Sequence, residues 1–482
     1  MCPTVSSPFG RSSAAVIQSG KPPVPRRLPG GTSLPSHRNE NFLVKRRTRS
    51  ALAISLVGTV LAGLSACSAS PGASSDDVTL TYWATNNGAS VESDQALLQT
   101  EADKFTAETG VKVEVEVVPW ATLLDRILTA VTTGEGPDVL NIGNTWTASL
   151  QATGAFLPFD DAVFDELGGA DRYSATALEA NGAVGETPIS VPLYTFVNAL
   201  YYNKALLAEA GIAEPPATWD ELVTASKAIT GDTDGDGATD RWGVSSEFYN
   251  SLNVWAYANQ LDGSVLSEET PDLTNPAIAS AIKEVADWIA VDKIVDPADV
   301  QFTSYTQVVQ KFVDSDAAFI LQQTGEQTFT NLGFSSDDYG VTALPVFDPL
   351  PADGEAVTAA IGGTNVAVFG ATEHKAESVD FVRFLSSAEE SVILNTAFGA
   401  TSPVLEAQDD EAFQTPIALA LADILNTGAK AQPQIASSTQ LETALNGAIT
   451  ELWAQAATSG PVSDADISDA LAAAQETYEA TR

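Results

Sequence analysis

The chain has 482 residues, and its 63 acidic and 23 basic side chains give it a formal net charge of −40. A surface this acidic repels nucleic acid and anionic membranes, which argues against a nucleic-acid-binding protein. The only cysteines are Cys2 and Cys67, and the only histidines are His37 and His374. A cysteine–histidine nucleophile or a histidine-based zinc site is therefore not supported.

The first 66 residues have the pattern of a leader that is removed. Basic residues at 45–49 precede an apolar run at 51–64, and the run ends in Leu-Ser-Ala-Cys at 64–67. This order is typical of a secretory signal peptide, and its last four residues resemble the bacterial lipobox, whose cysteine carries the lipid. We expect residues 1–66 to be the leader and lipoprotein signal peptide, with translation starting at Val44. Acylated Cys67 would then hold the protein to the lipid bilayer.

The alternatives for the apolar run are a buried core helix or a membrane span, although a span needs roughly 20 apolar residues and this run is shorter. Without residues 1–66, the chain keeps 14 basic and 62 acidic side chains, a formal charge of −48.

Residues 67–77 are small and polar, which predicts a flexible tether behind the lipidated cysteine. With no second cysteine for a disulfide, the fold must be stabilised by burial, for which the remaining chain is long enough.

Strands and helices alternate from residue 78 onward. Residues 78–83 alternate as a strand does, and a helical pattern then ends at Gly110. Valines alternate with charged residues over 111–117, a second helical pattern ends at Gly134, and residues 138–142 predict a third strand. Because strands that alternate with helices pair in parallel through right-handed crossovers, we expect an α/β sheet covered by helices.

Two of these strands end in an aromatic residue beside an amide. Trp83 and Asn86 lie at the end of the first strand, and Asn144 and Trp146 follow the third. In open α/β sheets the ligand lies beyond the carboxyl ends of the strands. An aromatic ring packs on the C–H face of a pyranose and amides match its hydroxyls, so these residues predict a sugar site. The alternative for either tryptophan is a place in the core.

An acidic, glycine-rich stretch at residues 231–240 matches the first part of a calcium-binding loop. In such loops alternate side chains and one backbone carbonyl converge on the ion, and a central glycine allows the sharp turn. Gly243 stands where a bidentate glutamate usually completes the shell, and a solvated turn in an acidic protein is the alternative. The predicted ligands of a structural calcium ion are Asp232, Asp234, Asp236, the carbonyl of Ala238, and Asp240.

Five sequence blocks carry a resemblance to a known family. They lie at 136–160, 191–204, 216–222, 339–345 and 361–367, and include Gly-Pro-Asp-Val, Tyr-Tyr-Asn-Lys and Ile-Gly-Gly-Thr-Asn. Their order and spacing resemble the family 1 extracellular solute-binding proteins, the maltose-binding-protein-like sugar-binding class, over nearly all of residues 78–482. The third block also predicts a capping box, in which Thr218 and Glu221 begin a helix.

The resemblance implies an α/β fold of the type II periplasmic-binding-protein class, with two interleaved lobes, a hinge and a central cleft. Residues 78–189 and 362–398 would form one lobe, and residues 190–361 and 399–482 the other. The family usually has Gly-Pro-Trp after its equivalent of strand 319–321, whereas this chain has Gln-Gln-Thr-Gly-Glu, so one stacking platform is missing. Besides the four residues at the strand ends, the resemblance implies ligand contacts from Tyr194, Asn250, Trp255, Glu326, Gly363 and Asn365.

The function implied by the resemblance is that of the extracytoplasmic substrate-binding component of an ABC importer. It would bind a mono- or oligosaccharide by hinge closure and deliver it to a permease, as a lipid-anchored monomer on the outer face of the cytoplasmic membrane. No catalysis and no cofactor other than the calcium ion are expected. Two alternatives remain: a secreted carbohydrate-active enzyme whose paired carboxylates lie among the many acids, and a binding protein for another solute such as a peptide.

Overall fold

The structure is a computed structural model that describes residues 78–88, 90–266, 271–323 and 326–482. The predicted leader, the lipidation site at Cys67 and the tether all lie outside these residues. Within the described part of the chain, no helix combines the length and the apolar character needed to cross a bilayer.

The first five elements confirm the predicted alternation of strands and helices. The first helix begins with a capping box at Ser90 and ends at Gly110, whose φ of 80° lies in the left-handed region that favours glycine. On the second strand, Val113 and Val117 are buried while the charged residues between them are exposed. The elements are β1 (Thr79–Thr85), α1 (Val91–Thr109), β2 (Lys112–Val118), α2 (Trp120–Thr133) and β3 (Val139–Gly143).

The rest of the described chain adds mostly helices and the long strands of the sheet. The predicted capping box is confirmed, because the Thr218 hydroxyl accepts from the Glu221 N–H and the Glu221 carboxylate accepts from the Thr218 N–H. The elements are α3 (Thr147–Gln151), α4 (Asp161–Glu166), α5 (Ala175–Leu178), β4 (Ser190–Asn203), α6 (Lys204–Glu209), α7 (Trp219–Ile229), β5 (Trp242–Ser246), α8 (Leu252–Leu261), α9 (Pro276–Ala290), α10 (Tyr305–Val313), β6 (Ala317–Gln323), α11 (Glu326–Asn331), β7 (Tyr339–Thr342), β8 (Ala359–Val368), α12 (Lys375–Leu385), α13 (Ala388–Phe398), α14 (Pro416–Thr427), β9 (Ala429–Lys430), α15 (Ser438–Ser459) and α16 (Asp464–Thr481).

The strands form one mixed sheet in the order β2-β1-β3-β8-β4-β6-β5, with β7 beside β4 and β9 beside β8. The strands β1, β2 and β3 pair in parallel, as predicted, and β5 pairs in parallel with β6. Between these two parallel parts, β8 and β4 pair antiparallel with each other and with their outer neighbours β3 and β6. The two longest strands therefore join the two parallel parts of the sheet.

Both long strands pass from one hydrophobic core into another. On β4, Val191 and Leu193 pack in the core beside β1 and β2, whereas Val197 and Ala199 pack in the core beside β6. On β8, Val366 belongs to the former core and Ile361 to the latter. Since each end of these strands has its own core, their middle segments are where the chain could bend. The proposed lobe boundaries stay a prediction.

Candidate ligand-binding site

The carboxyl ends of β3 and β6 point toward each other along the two long strands. Gly143, which ends β3, pairs with Thr364 of β8. Gln323, which ends β6, pairs with Asn198 of β4, and Asn198 pairs with Ala360 of β8. Thr364 and Ala360 are four residues apart, about 13 Å at the rise of a strand. The ends of β1, β2 and β3, hereafter the β1–β3 end, thus face the ends of β5 and β6, the β5–β6 end, along the two long strands. The space between these two ends, hereafter the gap, is the candidate site.

An exposed indole stands at the β1–β3 end. Trp120 directly follows β2 as the first residue of α2 and is 41% exposed, and its backbone N–H donates to the Asn86 side-chain oxygen at 2.9 Å. Its ring stacks on Trp146, with 4.3 Å between centroids and 28° between planes. A Cβ on Gly143 would lie within 2.9 Å of both rings, so glycine makes room for this stack. Trp120 was not among the residues predicted from the sequence, although it follows a strand end just as Trp146 does.

The tryptophans that the sequence analysis did predict are covered by other groups. The guanidinium of Arg126 lies 3.8 Å from the ring centroid of Trp83 and is paired with Glu116. Trp146 is 7% exposed beneath Trp120, and the Asn144 amide donates to the Ile361 carbonyl at 3.4 Å. Trp146 thus supports the ring of Trp120, and Asn144 links the β1–β3 end to β8.

A hydrogen-bonded polar cluster occupies the β5–β6 end. The Glu247 carboxylate, just beyond β5, accepts from the Tyr249 hydroxyl at 2.8 Å and from the Asn250 amide at 2.5 Å. Burial raises the pKa of Glu247 above its usual range, although these hydrogen bonds lower it. Asn250, a predicted contact, therefore orients Glu247, a residue that the sequence analysis did not single out.

Tyr305, at the start of α10, has a carboxylate of each end near it. Burial raises the pKa of its phenol, and the negative charges of Asp94 and then Glu247 raise it further. Asp94 lies in the first turn of α1, beyond β1, and its carboxylate accepts from the N–H groups of Asn87 and Gly88 at 2.9 and 2.8 Å. The phenol of Tyr305 is therefore affected by the charge of a carboxylate on each side of the gap.

A further carboxylate reaches the β1–β3 end from α15. The side chain of Glu442 is hydrogen-bonded by the side chain of Thr145, which follows β3, and burial raises the pKa of Glu442. The Ser438 hydroxyl in the first turn of the same helix donates to the Thr145 carbonyl at 2.8 Å. No local sequence pattern marks Glu442, because it comes near the site only through the packing of α15.

Four predicted contacts have structural partners instead. Tyr194 and Trp255 are each 1% exposed, and the Tyr194 ring packs edge-on against Phe398. The buried Asn365 amide donates to the Ala180 carbonyl at 2.7 Å. Gly363 has a φ of 154°, and a Cβ there would lie 2.4 Å from the Tyr194 carbonyl oxygen, so this glycine permits β8 to approach β4. Ligand contact by these residues stays a prediction.

Glu326 lies in the wall of a cavity of about 240 Å³ between α11, α13 and α14. Its carboxylate accepts from the Thr415 hydroxyl at 2.6 Å. The buried amide of Asn395 is another part of the wall. The predicted role of Glu326 in ligand binding stays a prediction.

Three of the predicted calcium ligands lie close together in the structure. Carboxylate oxygens of Asp232, Asp234 and Asp240 lie within 4.8 Å of one another, whereas Asp236 is outside this group and accepts from the Ala238 N–H at 2.7 Å. The Asp232 carboxylate also accepts from two backbone N–H groups of the loop, at 2.6 and 2.8 Å. These amide donors hold the Asp232 carboxylate in place whether or not an ion is bound.

Comparisons with known proteins agree with the resemblance seen in the sequence. Residues 88–391 match the family model described as bacterial extracellular solute-binding protein. A protein of Brucella abortus (strain 2308) that is named as a binding protein is 30% identical over 253 residues, which are 50% of this chain and 57% of that protein. The diacetylchitobiose-binding protein DasA of Streptomyces coelicolor is 32% identical over 158 residues, 33% of this chain and 35% of that protein. This chain thus spans about half of the first relative and a third of the second.

The fold is shared with solved structures. The sugar-binding protein MalE of Xanthomonas citri superposes with a TM-score of 0.69 at 20% identity, covering 84% of this chain and 98% of that one. This similarity confirms the α/β fold of type II periplasmic binding proteins. The family model matches residues 88–391, which are well over half of this chain. The chain therefore belongs to the bacterial extracellular solute-binding protein family.

Proposed function

We propose that this chain is the extracytoplasmic substrate-binding component of an ABC importer, and that it binds a mono- or oligosaccharide in the gap between the two strand ends. The exposed ring of Trp120, supported from below by Trp146, is the observation that carries the proposal. A saccharide offers a C–H face for such a ring and hydroxyls for the carboxylates nearby. The family of the chain and the diacetylchitobiose-binding relative support this substrate class.

The proposed mechanism is closure of the gap around the bound saccharide. A ligand that first packs on Trp120 would recruit Glu247 and Tyr305 from the opposite side, and the middle segments of β4 and β8 would bend. Ligand contacts with both sides exist only in the closed state, so binding shifts the population toward it. The permease in the membrane would recognise that closed form.

The test is a titration of tryptophan fluorescence with maltose, maltotriose, mannobiose, N,N′-diacetylchitobiose and trialanine, followed by product analysis of the same samples. We expect saturable binding of at least one saccharide, no response to the peptide, and no cleaved or modified sugar. Turnover of a saccharide would instead identify a carbohydrate-active enzyme. A response to trialanine alone would identify a peptide receptor.

The location proposed for the chain is the outer face of the cytoplasmic membrane, held by acyl chains on Cys67. The basic residues, the apolar run and the Leu-Ser-Ala-Cys sequence at 64–67 support this. When a bacterium expresses the full chain in the presence of labelled palmitate, the protein should carry the label. The Cys67→Ser variant expressed in the same way should not. Equal labelling of both forms would rule out lipidation at this cysteine.

We also propose a structural calcium ion at Asp232, Asp234 and Asp240, with Asp236 and the Ala238 carbonyl completing the predicted set. An ion that binds only the folded chain stabilises it by mass action, so saturating calcium should raise the melting temperature by about 3 °C. The Asp232→Asn and Asp234→Asn double variant should lose this response. Calorimetry of the unmodified chain that shows no calcium-linked heat would remove the ion from the proposal.

A further inference from the structure

Three carboxyl groups lie near the strand ends that border the proposed saccharide site, and their hydrogen-bond partners among the described residues are neutral groups. Asp94 accepts from the backbone N–H groups of Asn87 and Gly88 and from a neighbouring serine hydroxyl. Glu247 is hydrogen-bonded by side chains of tyrosine, asparagine and glutamine, and Glu442 by the side chain of Thr145. Burial raises the pKa of all three groups.

The lysines and arginines of the described residues do not form ion pairs with these carboxyl groups. Residues 78–482 contain 14 lysines and arginines, every one within the described part of the chain. None of them forms an ion pair with Asp94, Glu247 or Glu442. Arg126, which covers Trp83 at the β1–β3 end, is paired with Glu116 in a bidentate arrangement. The described residues at the two strand ends therefore include three carboxyl groups without an ion-pair partner, whereas the charge of Arg126 is matched by that of Glu116.

Unpaired, partly buried carboxylates select a ligand by its charge. Hydroxyl and ammonium groups donate hydrogen bonds to them and restore the interactions lost on leaving water. An anionic group beside these carboxylates is repelled by them, and more strongly than in bulk water because the local dielectric constant is lower. At several ångströms, one such repulsion lowers affinity by about tenfold or more.

We infer that Glu247 and Glu442 set the charge selectivity of this site, so that it accepts neutral and amine-bearing saccharides and rejects sugar phosphates and sugar acids. Glu247 acts from the β5–β6 end and Glu442 from the β1–β3 end, so a closed site would hold the ligand between them. Asp94 adds to the negative potential, but its carboxylate is already occupied by backbone N–H groups and positions the chain after β1. The inference rests on the proposed function for its ligand class, whereas the charge of the gap can be measured without a ligand.

The first test uses Trp120 as a reporter of the local potential. Quenching of the tryptophan fluorescence of the protein is measured with iodide, caesium and neutral acrylamide at constant ionic strength. The signal of the Trp120→Phe variant is subtracted from that of the unmodified chain, and the difference is the contribution of Trp120. We expect the iodide quenching constant to be about threefold below that of caesium, since potentials at charged clefts reach several kT. Glu442→Gln and Glu247→Gln, which keep the shape of the side chain, should raise iodide quenching.

The control is Glu135→Gln, which removes the same charge from an exposed position just beyond the far end of α2. That position lies about 20 Å along the helix from Trp120, beyond the screening length at ordinary salt. The Glu135→Gln substitution should therefore leave iodide quenching of Trp120 unchanged. Equal quenching by iodide and caesium in the unmodified chain, or a response to Glu135→Gln as large as that to Glu442→Gln, would overturn the inference.

The second test compares glucose, glucosamine, glucose 6-phosphate and glucuronate as competitors of whichever saccharide binds in the fluorescence titration. Glucose and glucosamine should compete at least tenfold better than the two anions, and Glu442→Gln with Glu247→Gln should reduce this ratio. Anions that compete as well as glucose would contradict the charge selectivity while leaving saccharide binding intact. If no saccharide binds at all, the proposed function fails, and the quenching experiment still decides whether the gap excludes anions.

Discussion

Trp120→Ala is expected to weaken saccharide binding by about 2 kcal/mol, or roughly 30-fold in Kd, because it removes the ring face on which the sugar would pack. The fold should be unaffected, since the indole is 41% exposed. Trp120→Phe keeps an aromatic face and should recover most of the affinity. Calorimetric titration of each variant with the saccharide found in the fluorescence panel measures the effect.

The matched control is Leu128→Ala on the same helix. Leu128 is 43% exposed but lies two turns of α2 beyond Trp120, away from the strand ends. Its truncation removes a comparable exposed apolar surface and should leave Kd unchanged. If Trp120→Ala binds saccharide as tightly as Leu128→Ala does, then the ring is not the sugar platform and the site proposed at the β1–β3 end is wrong.

Lys311→Met should lower the free energy of unfolding by about 3–5 kcal/mol, because it leaves a buried carboxylate without its cation. The Lys311 ammonium lies 2.7 Å from Asp296 and 2.6 Å from Asp299, and the Asp299 side chain is fully buried. Burial raises the pKa of Asp299 even with this partner present. Chemical denaturation followed by circular dichroism measures the loss.

Two further variants separate charge from packing at this position. Adding Asp299→Asn to Lys311→Met removes the uncompensated charge and should restore a large part of the stability. Lys283→Met breaks a more exposed pair with Asp287 on α9 and should cost less than about 1 kcal/mol. If the double variant is no more stable than Lys311→Met, the loss comes from packing, and the electrostatic explanation is incorrect.

Local patterns were sufficient for the secondary structure around the site. The alternation of valines with charged residues in β2, the glycine that ends α1 and the capping box at Thr218 each depend on residues within a few positions of one another. These features act through backbone conformation and near neighbours, so they can be identified without knowing the rest of the fold. The same holds for the parallel pairing of β1 with β2 and β3, because a crossover helix imposes it.

Which side chains are open to a ligand could not be predicted in this way. Trp83, Trp120 and Trp146 all lie at strand ends, but Arg126 covers the first and Trp120 itself covers the third. Trp255 matched a family contact by position, yet it is enclosed in a hydrophobic core and is 1% exposed. Exposure depends on which distant segments pack over a residue, and no local spacing contains that information.

The sequence by itself determined the alternating strands and helices, the acidic surface and the family to which the chain belongs, because these depend on composition, periodicity and the order of short blocks. Only the tertiary structure decided that the ring of Trp120 is open and that the side chain of Glu442 lies beside Thr145, at the end of β3. The physical reason is distance along the chain. Glu442 comes close to Thr145 only because α15 packs back onto the β1–β3 end, some 300 residues later in the sequence.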